Sequence, residues 1–114
     1  MYKLKLHKNL DKERWNAFDR GKQILMIANE LNRAKNWLAK EDIDEAMNAY
    51  ERAFELLDLT ISVTLDEHRL KELLRFREIL GFYYQCKGKK IEFADKLLRT
   101  LLSLDKQAYQ VLQS

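Results

Sequence analysis

Few residues in this chain have the chemistry of a reactive site. There are two histidines, His7 and His68, a single cysteine, Cys86, and one dense acidic stretch of Glu41, Asp42, Asp44 and Glu45. A di-iron helical bundle uses Glu-x-x-His, and neither histidine has a glutamate at that spacing. Structural zinc needs several Cys or His ligands, and the whole chain holds three such residues. The acidic stretch lacks the glycine and closing glutamate of a calcium loop, and its place before an apolar periodic run fits helix capping. Lys87 beside Cys86 favours a thiolate, but a helix C-terminus opposes that negative charge. No glycine-rich phosphate loop or G-x-S-x-G elbow occurs. The sequence therefore predicts no catalytic residues, no cofactor and no metal, and a role in binding.

Two features exceed what a plain helical core needs. At 100° per residue, Trp15, Met26 and Trp37 fall within about 40° of one another, opposite the stripe of Ile24, Leu31 and Leu38. Leaving such side chains in water costs about 1.5–3 kcal/mol each. They form a candidate partner interface, because Trp and Met are enriched at interfaces. The alternative is that the helix packs on two sides, or that Gly21 bends it and returns Trp15 to the core. Ile79, Phe82 and Cys86 make a similar secondary stripe further on, so Ile79 and Phe82 join the candidate interface. The second feature is Arg77, whose helical direction lies inside the apolar arc of Leu70, Leu73, Leu80 and Tyr84. It must snorkel or find a carboxylate, and Asp58 and Glu51 are within reach. Arg77 with Asp58 is thus expected as a buried ion pair or an anion site.

These residues need a frame, and composition says which. The chain has 114 residues, no proline and three glycines, with 46% hydrophobic and 34% charged residues, which favours one all-α domain over residues 1–114. An extended N-terminal arm over residues 1–9 alternates apolar and polar side chains from Tyr2 to His7. Helices are predicted over about 11–40, 43–62, 65–87 and 89–112, from apolar residues stepping by three and four. Asp11, Asp42 and Thr64 are candidate N-caps, the last two with a glutamate three residues on. Short connections then make an antiparallel up-down four-helix bundle.

Ala34, Trp37, Ala46, Tyr50 and Ala53 resemble the helix-pair pattern of a tetratricopeptide repeat over about 30 residues. Leu80, Gly81, Tyr84 and Ala94 give a second, poorer match, out of register by one. The four-helix layout is also similar to that of bacterial flagellar export chaperones. The first resemblance implies the general grammar of a helical hairpin, and the second is one of layout.

Charge is unevenly spread. Residues 1–25 hold seven basic and three acidic groups, residues 41–60 one basic and seven acidic, and residues 85–100 five basic and two acidic. The overall +3 is too small to imply a polyanion. The lone cysteine, the absence of an h-region and apolar runs no longer than residues 24–28 point to a reducing cytoplasm and no membrane span. The expected function is a protein-interaction module of the adaptor or chaperone-like kind, without enzymatic activity and self-associating as a homodimer. Its alternative is a nucleic-acid-associated adaptor using the basic arm and the corner of Lys87, Lys89 and Lys90.

Overall fold

The computed structural model describes residues 12–85 and 91–104. The expected arm, Cys86, the lysine corner and the end of the last predicted helix lie outside them. Five helices follow in order: α1 (Lys12–Asn16), α2 (Arg20–Ala39), α3 (Ile43–Val63), α4 (Glu67–Gln85) and α5 (Ile91–Leu102). The fold is all-helical among the described residues.

The helix expected over 11–40 is two helices, and a polar side chain marks the break. Asp19 has φ −68° and ψ 165°, an extended backbone, and its carboxylate accepts the Lys22 N–H. Aspartate bonds local backbone well, so it favours a cap over a helix interior. The bend lies upstream of Gly21, which sits buried in the first turn of α2. Gln23 closes the junction: its Nε2 donates to the carbonyl oxygens of Trp15 at 2.9 Å and Phe18 at 3.2 Å.

Asp42 caps α3 as expected, accepting the Glu45 N–H at 3.1 Å. The turn before it is a Schellman motif, with Glu41 N–H on the Leu38 carbonyl and Asp42 N–H on that of Trp37. Glu41 takes the left-handed conformation there, at φ 61°. The expected capping of the next helix by Thr64 is corrected. Thr64 instead donates its hydroxyl to the Thr60 carbonyl, ending α3, while Asp66 accepts the Arg69 N–H and starts α4. Leu65, expected inside that helix, stands 96% exposed in the connection. The last helix stops at Leu102 and is followed by a turn in which the Ser103 hydroxyl donates to the Thr100 carbonyl.

α2 packs against both α3 and α5, α4 contacts the same two helices, and α1 lies on α3. Ile24, Ile27 and Leu31 of α2 meet Ala53, Leu56 and Leu57 of α3 in one core, joined by Leu73, Phe76 and Leu80 of α4 and Leu97 and Leu101 of α5. A smaller cluster of Leu38, Ala46 and Ala94 closes the other end, with Trp37 against it. Lys35 ties α2 to α5 through Asp95 at 2.9 Å.

Trp15 anchors α1. It is fully buried, and its Nε1 donates to the Thr60 hydroxyl at 2.8 Å. That hydroxyl donates in turn to the Leu56 carbonyl at 2.7 Å. Trp15→Phe and Thr60→Val should each destabilise the fold by about 1–3 kcal/mol, since each strands one buried polar partner or opens space. In urea unfolding the double variant should cost about 1 kcal/mol less than the two singles together. Strict additivity would mean the bond contributes nothing.

Candidate functional site

α4 has the most divided allegiance of the helices. Leu73, Phe76 and Leu80 point into the core. On the opposite side Lys71, Arg75, Glu78 and Phe82 recur at helical spacing and are exposed. Phe82 keeps 67% of its surface in water. Its ring meets the edge of Tyr83 at 5.5 Å, and Tyr83 lies tilted on Phe93 of α5 at 4.8 Å. Ile91 is also exposed at the start of α5. An aromatic corner therefore sits where α4 and α5 meet. Ile79 is half-buried, packed against the main core beside this corner.

The other expected interface residues do not form one face. Trp15 belongs to the core, a correction that follows from the break at residues 17–19: a 100° step cannot be carried across a chain that has left the helix. Met26 is half-buried against the main core. Trp37 packs on the smaller cluster, with the Lys40 ammonium 5.1 Å from its ring centroid.

Arg77 and Asp58 do pair, with Arg77 Nη2 donating to Asp58 Oδ2 at 3.3 Å and Nε donating to Oδ1. The pair is not buried, because 45% of the arginine side chain and 33% of the aspartate are exposed. The long stem carries the guanidinium out past Phe54, whose ring centroid lies 5.4 Å from Cζ. Glu51 takes a different partner, accepting the Tyr84 hydroxyl at 3.1 Å. Partial burial and then the Glu51 hydrogen bond and charge push the Tyr84 phenol upward. Tyr84 also stands edge-on to Tyr50 and Phe54, so aromatic packing fills the α3–α4 seam.

Sequence reasoning missed Glu30. It is buried on α2 and takes Arg33 Nη1 and Arg52 Nε, each at 2.8 Å. Its signal was positional, since it stands three residues after Ile27 and four before Ala34. Arg52 joins it from α3, so the trio fixes the rotation of α2 on α3. The Asp95 carboxyl is held below its ordinary range by the Lys35 hydrogen bond first, then by the charges of Lys35 and Arg99.

Among the described residues no three His, Cys, Asp or Glu side chains gather to hold a metal ion. Among them, too, no helix is long and apolar enough to cross a membrane. The chain matches no family model, no curated protein and no solved structure.

The two ion-pair sites should separate in mutagenesis. Glu30→Gln should destabilise by about 1–3 kcal/mol, because a buried acceptor of two charged hydrogen bonds is weakened. Asp58→Asn should cost about 1 kcal/mol or less, as for other half-exposed pairs. Thermal or urea unfolding that ranks them the other way would contradict the burial described.

Tyr50 supplies a pH test. It is 2% exposed, and burial pushes its phenol up to about 12. Between pH 10 and 12 the unfolded chain gives up this proton and the folded chain keeps it, so stability falls as pH rises. The loss should approach roughly 2 kcal/mol near pH 12. Tyr50→Phe should remove that component of the stability–pH profile, and an unchanged slope would place the phenol in water.

Proposed function

We propose that the chain is a non-enzymatic protein-interaction module of the cytoplasm: an antiparallel up-down four-helix bundle that self-associates through the outer face of α4. The carrying observation is Phe82, 67% exposed and continuous with Tyr83 and Phe93 through ring contacts. Single exposed apolar residues are ordinary, whereas a joined aromatic group at a surface marks an interface.

The bundle reading is supported by α2 and α4 each contacting both α3 and α5. It is also supported by the three-residue connections after α2 and α3, which leave successive helices little choice but to run back. A second copy is favoured as the occupant by the charges beside Phe82. Arg75 and Glu78 lie on the same outward strip, one turn apart. Two α4 helices meeting antiparallel across a two-fold axis set each of these against its opposite in the other copy.

Light scattering behind size exclusion, across a concentration series, tests this. The expected mass is twice the 13.7 kDa of one chain. Phe82→Ser should return it to one chain while leaving stability within about 0.5 kcal/mol, since the side chain is not in the core. A single-chain mass at every concentration, or a dimer indifferent to Phe82→Ser, would overturn the reading.

A further inference from the structure

Gly81 stands inside α4, one turn before the helix ends at Gln85. Nothing in its own chain asks for a glycine there. Its φ is not positive, so the backbone conformation is open to any residue. A Cβ built on it meets no atom within 4 Å, so no neighbour needs the space. The missing side chain is nonetheless unfavourable, because glycine in a helix interior lowers the folding constant about fivefold relative to alanine. The reason for it lies outside the single chain.

The notch belongs to the outer side of α4. At 100° per residue Leu74, Glu78, Gly81 and Gln85 fall within about 60° of one another, with Lys71 and Phe82 alongside. Leu74 is 45% exposed and Phe82 67%, and they are the large apolar side chains that α4 leaves in water. Glu78, Gly81, Phe82 and Gln85 have the spacing i, i+3, i+4 and i+7. Those are the corners of a hole that a side chain from a facing helix enters. With no Cβ at Gly81 the hole is deep and the backbone is open to close approach. Helical side chains lean toward the N-terminus of their own helix. In an antiparallel pair that lean carries Leu74 of one helix toward Gly81 of the other. Within one chain the two are parted by about 10 Å of helix, so Leu74 cannot fill the notch of its own copy.

We infer that Gly81 is the seat for Leu74 of a second copy, so that two α4 helices interlock through two identical knob-and-notch contacts, with Phe82 walling each notch. This rests on the α4 dimer proposed above and adds the contact that sets its register. Arg75 and Glu78, which meet their opposites across the two-fold axis, fix the antiparallel sense. The notch fixes how closely the helices approach and at which level. A two-fold axis makes the contact twice from one pair of residues.

Sedimentation equilibrium of the full chain, with thermal unfolding of the same variants, tests this. Gly81→Ala puts a methyl into the notch and Gly81→Leu fills it. The dimer Kd should rise about tenfold in the first and about a hundredfold or more in the second. Leu74→Ala should raise it about tenfold. Combining Leu74→Ala with Gly81→Ala should give less than the product of the two, because the methyl then meets no knob. In the single-chain Phe82→Ser background, Gly81→Ala should raise Tm by about 4 °C through helix propensity alone. Gly81→Leu should fold there with Tm no lower than its parent. A glycine kept for its own chain would do the reverse, losing stability in that background and leaving the dimer Kd unmoved. A single-chain mass for the unaltered protein at every concentration would overturn the dimer and this contact with it. A dimer abolished by Phe82→Ser yet indifferent to Gly81→Leu and Leu74→Ala would overturn the Gly81 seat alone.

Discussion

An indole N–H removed from water has to find an acceptor, and leaving it without one costs about 1–3 kcal/mol. Trp15 meets that demand through Thr60, whose hydroxyl accepts from the indole and donates to Leu56. Much else follows from this pairing. α3 must present Thr60 toward α1, which sets one rotation of α3. The chain after Trp15 must also leave its helix and turn before α2 can reach the core. Asp19 provides the new start, and Gln23 bonds the two carbonyls that the turn exposes.

α2 carries the heaviest polar duty of any helix. Gln23 and Glu30 are both buried on it, and both are bonded: one to the α1 junction, the other to Arg33 and Arg52. Polar groups satisfied in this way restrict α2 to one seating among its neighbours, because a small rotation would break several bonds together. α4 works under a looser rule. Its inner contacts are Leu73, Phe76 and Leu80, and the tie to α3 is made by groups at the surface, Arg77 with Asp58 and Tyr84 with Glu51. Its outward side is left with Phe82, which no core contact requires.

Helical periodicity made much of this legible. The apolar arc from Ile43 to Ile61 and the Asp42 cap were readable as they stand, since both are local and repeat at a fixed spacing. The division of the first helix was legible only in part, because Trp15 upstream of Asp19 falls opposite the stripe of Ile24, Leu31 and Leu38, which fits a second packed face as well as a break. Thr60 escaped notice for a similar reason: a threonine beside Leu57 and Ile61 looks like a tolerated neighbour until an indole arrives from elsewhere in the chain. Arg77 was placed correctly by angle and wrongly by depth. Angle describes where Cα points, and four further bonds carried its charge to water. Trp15 left its grouping with Met26 and Trp37 because a helical wheel presumes an unbroken helix, and the break at residues 17–19 separates α1 from α2.

The Trp15–Thr60 bond spans 45 positions. The hairpin of α2 and α3 closes through a connection of three residues and is local by comparison. During synthesis Trp15 is made first and its acceptor much later. At about 5–20 residues per second, the indole waits at least roughly 2–9 s for Thr60 to be added. α1, the first of the described helices to be made, therefore cannot dock until α3 is nearly complete, with α4 and α5 still to follow. For that interval the nascent chain carries an uncovered tryptophan, at the stage when ribosome-associated chaperones meet it.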